Sequence, residues 1–155
     1  MRGHEVETRA PEETEALGAA IGRAAQGGEL IGLVGELGSG KTCFVRGLAA
    51  GLGIDAGRIT SPSFTIVSEH RGGRLVLQHV DLYRLEPSRE DERSLRDVLY
   101  GEDVAAVEWF DRLRSADGDE VLLVRLDFAG DERRAVRLEA RGARHERLLR
   151  LAFGA

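Results

Sequence analysis

The sequence predicts one α/β domain over residues 1–155, and three observations support this fold class. An apolar run, Leu30–Val34, has the length of a buried strand, and a glycine-rich loop and a helical pattern from Cys43 follow it. Helical patterns alternate with further short apolar runs along the chain, as they do in α/β folds. The chain is 42% hydrophobic and 32% charged, which is typical of a globular protein with a real core.

The loop at residues 35–42, GELGSGKT, matches the pattern G-x-x-x-x-G-K-[ST] that binds nucleotide phosphates. Glycines let loop amides turn toward a phosphate, and the helix that follows presents its positive end to the same anion. We expect Lys41 to reach the β- and γ-phosphates and Thr42 to offer its hydroxyl to Mg²⁺. An ordinary glycine-rich turn is the alternative, and the strand–loop–helix context argues against it. The predicted phosphate-binding residues are Leu37, Gly38, Ser39, Gly40, Lys41 and Thr42.

The residues before this loop predict an edge strand at 4–9 and then a helix. Pro11 stands where the helix would start, acidic residues fill its first turn, and Leu17 and Ile21 lie on its apolar face. A pair of glycines at 27–28 ends it. The first turn of this helix could flank a nucleotide base, although the residues alone favour an ordinary packing helix.

The helix after the loop should place one apolar face on the sheet, and its residues are Phe44, Val45, Leu48, Ala49 and Leu52. Cys43 is interpreted as part of the core, because a small buried cysteine is commoner than one with a lowered pKa. The hydroxyl-rich segment 59–65 is a loop. It is either a switch loop that approaches Mg²⁺ or the γ-phosphate, or a plain turn.

Two predicted strands end in a carboxylate. A hairpin of strands at 64–69 and 74–80 leads into Asp81, with His79 on the same face, and a strand at 104–107 leads into Glu108. A helix at 88–100, with Ser88 as its N-cap, separates the two. Carboxylates in these positions often serve the metal side of a nucleotide site, but spacing alone does not rank Asp81 against Glu108.

The last third of the chain predicts antiparallel strands at 120–128 and 135–140, and then a helix at 142–153. Leu148, Leu149 and Leu151 are expected to face inward. The turn at 129–134 carries Arg133 and Arg134, either of which could approach a phosphate or a base.

Composition limits the classes of function. The net charge of −5 at pH 7 disfavours a general nucleic-acid binder. No apolar run approaches the roughly 20 residues of a membrane span. The single cysteine cannot form an internal disulfide, and no secretory signal is visible, so the expected location is the cytoplasm.

Taken together, the motifs G-E-L-G-S-G-K-T, F-V-R-G-L, S-P-S-F-T, H-V-D-L-Y-R and V-E-W resemble, in this order, those of the TsaE (YjeE) ATPases of bacterial tRNA threonylcarbamoyladenosine biosynthesis. The resemblance covers nearly the whole chain. It implies a P-loop NTPase-like fold, with a central mixed sheet flanked by helices, that binds ATP and Mg²⁺. It also implies metal-side roles for Thr42 and Glu108, a place beside the γ-phosphate for Asp81, and nucleotide contacts for Arg133 and Pro11.

The same resemblance implies a slow ATPase that partners stimulate. The partners would be the TsaD and TsaB proteins, and tRNA would be met only through their complex. Three positions depart from the family pattern, namely Glu36, Ser63 and the pair at 110–111. The last leaves open whether a second acid after Trp109 has a role.

Three alternatives remain on the same core. A small-molecule kinase would need an acceptor pocket and a lid, for which the chain has little spare length. A nucleotide-dependent binding module with negligible hydrolysis fits the same motifs. A GTPase fits less well, since guanine is usually read by an Asn-Lys-x-Asp motif and the chain contains no asparagine.

Overall fold

The computed structural model describes residues 2–60, 66–84, 88–114 and 119–154. Most of the hydroxyl-rich loop predicted at 59–65, and the start of the strand predicted at 64–69, therefore lie outside the described residues. Within the described ranges, no helix has both the length and the apolar character that a membrane span needs.

Seven strands form one mixed sheet in the order β1-β7-β6-β2-β5-β4-β3, which confirms the predicted α/β fold. Its centre is parallel, because β2 pairs in parallel with both β5 and β6, and β4 pairs in parallel with β5. The outer pairings, β1 with β7, β7 with β6 and β3 with β4, are antiparallel. The strands are β1 (Arg2–Thr8), β2 (Leu30–Val34), β3 (Val67–His70), β4 (Leu77–Asp81), β5 (Val104–Glu108), β6 (Val121–Phe128) and β7 (Arg134–Arg141).

The α-helices of the described residues pack on both faces of this sheet. They are α1 (Pro11–Ala24), α2 (Lys41–Gly51), α3 (Arg89–Leu99) and α4 (Ala143–Phe153), and short 3₁₀ turns occur at Ala56–Arg58 and Phe110–Arg112. The apolar sides of α1, α2 and α4 bury one face of the sheet. The other face is covered by α3 and by Phe110 and Leu113, at and just after the second 3₁₀ turn.

Three predicted details are wrong. α2 begins at Lys41 rather than Cys43, because Gly40 adopts a left-handed φ of 105° and caps the helix directly. β4 begins at Leu77 rather than at 74, because the Arg74 amide donates to the Leu52 carbonyl (2.7 Å) outside the sheet. Leu151 is 54% exposed, since it lies about 200° around the helix from buried Leu149.

Arg74 has a structural role that the sequence pattern around it did not predict. Its guanidinium donates to the carbonyls of Ala25 (2.7 Å), Gly22 (2.8 Å) and Arg23 (3.2 Å) at the end of α1. These carbonyls have no partner within the helix, so the arginine satisfies acceptors that would otherwise depend on solvent. The hairpin of β3 and β4 is thereby joined to α1.

α1 and α2 touch through glycines on both helices. A methyl group added at Gly47 would lie 1.9 Å from the Glu15 carbonyl oxygen, and one at Gly51 or Gly18 would lie 2.3 Å or 2.2 Å from a backbone oxygen of the other helix. Gly22 is equally tight, at 2.3 Å. No side chain fits between these backbones, so the contact fixes α2, and with it the loop that leads into α2.

Candidate nucleotide site

The phosphate loop and both candidate acids lie at one edge of the sheet. β2, β4 and β5 are parallel, and their carboxyl ends carry, respectively, the loop at 35–40, Asp81 and Glu108. Asp81 and Glu108 are paired in register on neighbouring strands, which puts their side chains on the same face. The topology therefore assembles in space what the sequence spreads over more than 60 positions. A crevice at the carboxyl ends of parallel strands is the usual ligand position in α/β sheets.

Glycines determine the shape of the loop. Gly38 and Gly40 have φ values of 80° and 105°, a region that side chains rarely adopt. A Cβ at Gly35 would lie 2.5 Å from both the Leu126 carbonyl and the Ser39 hydroxyl. Leu37 is at the exposed tip of the loop, with 65% of its surface accessible. Ser39 is buried, and its hydroxyl has no hydrogen-bond partner among the described residues.

Lys41 is 4% exposed, which is rare for a lysine. Its ammonium donates to the carbonyls of Gly35 (2.6 Å) and Glu36 (2.9 Å) and lies 4.1 Å from the centre of the Trp109 ring. Burial lowers the pKa of Lys41, and the nearby carboxylates of Glu108 and Asp81 oppose that shift. The cation is held over the loop by contacts that an incoming phosphate can replace.

Three side chains form a chain of hydrogen bonds centred on Glu108. The Thr42 hydroxyl donates to the two carboxylate oxygens of Glu108 at 2.9 Å and 3.0 Å. On the other side, His79 Nε2 lies 2.6 Å from Glu108 Oε2. Because an ionised carboxylate only accepts hydrogen bonds, this contact requires a proton on Nε2. Glu108 is 3% exposed and His79 is fully buried, so the carboxylate is oriented from both sides away from bulk water.

Asp81 lies beside this chain and is 9% exposed. Its Oδ1 accepts a hydrogen bond from the Tyr83 amide at 2.9 Å, which fixes the carboxylate at the end of β4. The backbone also links the two acids, because the Leu82 amide donates to the Glu108 carbonyl at 3.2 Å. Asp81 and Glu108 therefore keep a fixed spacing at the edge of the sheet.

The structure brings Arg134, rather than Arg133, to the phosphate loop. Arg134 donates to the carbonyls of Ser39 (3.1 Å) and Gly38 (3.4 Å), and its guanidinium packs 4.6 Å from the centre of the Phe128 ring. Arg133 is 62% exposed on its side chain and lies 3.9 Å from Glu7. The turn between β6 and β7 is thus tied to the loop by the second arginine of the pair.

Pro11 begins α1, as predicted, and its carbonyl accepts a hydrogen bond from the Cys43 thiol at 3.1 Å. This contact places the first turn of α1 beside the first turn of α2. Cys43 is half-buried rather than fully in the core. Burial raises the pKa of this thiol to about 11, so it is not an activated cysteine.

Trp109 was not predicted to have a role, although it is the only tryptophan and follows Glu108 directly. Among the described residues other than glycine it alone has a positive φ, 62°. Such strain in a bulky residue is found mostly at functional sites. The ring covers Lys41, and its centre lies 5.1 Å from that of Tyr83. Its position after a strand that ends in an acid was the available signal.

The oxygen donors suit Mg²⁺ better than a softer metal. Thr42 and Glu108 supply a hydroxyl and a carboxylate within 3.0 Å of each other, and Asp81 adds a neighbouring carboxylate. The described residues contain no group of three or more histidine, cysteine, aspartate or glutamate side chains able to hold a metal.

Three comparisons identify similar proteins. The model of the family "Threonylcarbamoyl adenosine biosynthesis protein TsaE" matches residues 8–136. The tRNA threonylcarbamoyladenosine biosynthesis protein TsaE of Bacillus subtilis (strain 168) is 39% identical over 138 residues, which are 89% of this chain and 86% of that protein. The TsaE protein of Treponema pallidum (strain Nichols) is 38% identical over 131 residues, covering 83% and 95% of the two chains. The crystal structure of Bacillus subtilis YdiB is similar with a TM-score of 0.82 and 34% identity, over 97% of this chain and 94% of that one.

Proposed function

The chain belongs to the TsaE family of threonylcarbamoyl adenosine biosynthesis proteins, and on that premise we propose that it is a Mg²⁺-dependent ATPase in tRNA threonylcarbamoyladenosine formation. One observation carries the proposal. Lys41 and the Thr42–Glu108 pair lie together at the edge of the sheet where the glycine-rich loop enters α2.

Phosphate binding is the part assigned to the loop. The amides of the loop and of the first turn of α2 would surround the phosphates, with Leu37 and Gly38 at the tip and Ser39 and Gly40 below. The Lys41 ammonium would exchange its bonds to the loop carbonyls for bonds to the β- and γ-phosphates. The uncommitted hydroxyl of buried Ser39 is an additional donor within the loop. Arg134 would keep the Gly38 and Ser39 peptides in place during this exchange.

Thr42 and Glu108 would hold Mg²⁺, directly or through water, and the ion would neutralise charge on the phosphates. His79 would keep the Glu108 carboxylate turned toward Thr42 through its 2.6 Å contact. Asp81 would orient the water that attacks the γ-phosphorus, as the bond from that phosphorus to the leaving ADP oxygen breaks. Positioning and charge stabilisation would supply most of the rate enhancement.

Its membership in the TsaE family supports an accessory role in this pathway, in which the chain does not itself transfer the threonylcarbamoyl group. Its partners would be the TsaD and TsaB proteins, and hydrolysis would be slow alone and faster in their presence. tRNA would be met only through that complex, in agreement with the net charge of −5. The expected location is therefore that of the tRNA, the cytoplasm.

The test is ATP hydrolysis by the purified chain, alone and with the TsaD–TsaB pair, with Lys41→Ala as the inactive control. We expect low activity alone, stimulation by the pair, and at least about a 100-fold loss in the mutant. Turnover that appears only on addition of a small-molecule acceptor would replace this proposal with a kinase. Nucleotide binding without hydrolysis under any of these conditions would indicate a binding module.

A further inference from the structure

A groove of about 350 Å³ lies on the face of the sheet opposite α1 and α2. Its floor is apolar and includes Val34, Leu113 and Leu123. Three arginines surround it, namely Arg114, Arg125 and Arg141, and Asp111 is the acidic residue among the described residues that line it. We call this feature the arginine groove. None of its lining residues is assigned to phosphate or metal binding above.

Two of the three arginines of the arginine groove lack a carboxylate partner among the residues that the structure describes. Arg114 and Arg125 form no ion pair with any residue in the described ranges, while Arg141 lies 3.4 Å from Glu139. Arg125 is paired in register with Arg137 on β7, and the Arg137 guanidinium lies 3.6 Å from a Glu5 carboxylate oxygen, so Arg125 remains the arginine of this pair without a carboxylate. Such a cluster on a protein of net charge −5 points to an external anion.

The floor of the groove distinguishes between anionic partners. A nucleic-acid backbone gains little from an aliphatic floor, and single-stranded bases need an exposed aromatic platform. Phe110, which lines this groove, is only 6% exposed and packs into the core beneath it. By contrast, an apolar side chain flanked by carboxylates would match an aliphatic floor with an arginine rim.

We propose that the arginine groove docks an acidic segment of a partner protein, which inserts an apolar side chain between carboxylates. This inference rests on the proposed function, because the partner available for the test is the TsaD–TsaB pair. The groove is also connected to the site by the chain itself. Phe110 and Asp111 follow Glu108 and the strained Trp109 directly, so an occupant would press on the segment that carries the metal-side acid. Docking there can change the turnover of ATP.

The experiment measures the affinity of the full chain for the purified TsaD–TsaB pair by calorimetry, at about 50 mM and 250 mM NaCl. The groove variant is Arg114→Glu combined with Arg125→Glu. The matched control, Arg23→Glu with Arg150→Glu, makes the same change of charge on exposed positions of α1 and α4. We expect at least tenfold weaker binding for the groove variant and less than twofold for the control. Added salt should weaken the wild type more than the groove variant.

ATP hydrolysis without the pair, measured on the same samples, should be unchanged in the groove variant and shows that it is folded. Equal affinities of the wild type and the groove variant would overturn the docking site and leave the ATPase proposal standing. If the wild type hydrolyses no ATP but still binds the TsaD–TsaB pair more tightly than the groove variant does, only the proposal of ATPase activity is overturned. A wild type that does not bind the pair would overturn both the partners and the groove. If the wild type binds purified tRNA and the groove variant does not, the partner of the groove is a nucleic acid rather than a protein segment.

Discussion

The contact between α1 and α2 differs in almost every physical respect from the candidate nucleotide site, although α2 belongs to both. In the first, glycines let the two helix backbones touch, and apolar side chains pack around them. The second gathers Lys41, Asp81, Glu108 and His79, all nearly buried, at the edge of the sheet. Burying charges is costly unless they are paired. The glycine contact therefore provides rigidity, and the site uses it to hold charges ready for a ligand.

The largest expected effect comes from disrupting the contact between α1 and α2. Gly47→Ala would normally favour a helix, but here the new methyl group meets the Glu15 carbonyl at 1.9 Å. We expect a loss of about 3 kcal/mol in the free energy of unfolding, or roughly 6–12 °C in Tm. The measurement is thermal unfolding, with Gly3→Ala as the control because its methyl group meets only the Leu138 carbonyl at 3.6 Å. An unchanged Tm would show that the helices can separate without cost.

The second prediction changes a side chain of the candidate site without disturbing the fold. Glu108→Gln keeps the shape of the side chain and an acceptor for Thr42 but removes a buried charge. We expect Mg²⁺-dependent hydrolysis to fall about 100-fold, while Tm stays the same or rises. The control is Glu102→Gln, the same substitution at an exposed acid just before β5, at the opposite end of the strand from Glu108. Similar activity losses in both variants would remove the special role of Glu108.

The third prediction tests whether the orientation of the Glu108 carboxylate matters in addition to its presence. His79→Gln can retain a donor to Glu108, whereas His79→Leu cannot. We expect the Mg²⁺ concentration for half-maximal hydrolysis to rise about tenfold or more in the leucine variant and less in the glutamine variant. Calorimetric titration with Mg²⁺ and ATP gives a second readout. If both variants keep the wild-type Mg²⁺ dependence and differ only in Tm, His79 is merely structural.

The fourth prediction compares neighbouring arginines. Arg134→Ala removes the bonds to the Ser39 and Gly38 carbonyls, so we expect the KM for ATP to rise about fivefold, an energy of the size of one or two hydrogen bonds. Arg133→Ala, at an exposed position, should change KM less than twofold. Steady-state kinetics decides between them, and the reverse order would favour the nucleotide contact that the family resemblance implies for Arg133.

The smallest effect concerns pH and lies away from the site. Burial lowers the pKa of His145, which accepts from the Leu30 amide at 3.1 Å. The unfolded chain therefore binds a proton near pH 6.5 that the folded chain refuses, and stability falls as pH drops below that value. The effect is at most about 1.4 kcal/mol per pH unit. Urea unfolding at pH 7.5 and 5.5 should show a smaller loss in His145→Gln than in the wild type. Equal losses would assign the acid sensitivity to other groups.

Local patterns explain which parts of this fold were predictable. β2 and the phosphate loop depend on adjacent residues, and the capping box of Ser88 and Asp91 at the start of α3 does as well. The closeness of Asp81 to Glu108 depends on strand register, which no short pattern contains. Both acids could be proposed, but the hydrogen bonds that Glu108 makes with Thr42 and His79 could not.

The remaining differences between the predictions and the structure concern how side chains and helices are oriented, rather than whether a segment is a helix or a strand. Arg133 and Arg134 are neighbours at the turn into β7, so only the position of that turn decides which one reaches the loop. The glycines of α1 and α2 predict weak helices when each is considered alone. Their role is visible only when the two helices are placed together.

Under the proposed function, the bonds of Lys41 in the free protein would also affect how long a nucleotide stays bound. Its ammonium already has two carbonyl acceptors and an aromatic face, so a phosphate replaces good partners rather than empty space. The contribution of Lys41 to the free energy of phosphate binding would then be the difference between its bonds to the phosphate and its bonds to the loop carbonyls. That difference is smaller than the attraction of an unpaired ammonium for the phosphate. Under the proposed function, the same carbonyls would receive the ammonium again when the product leaves. The loop would then favour rapid exchange of product over tight retention.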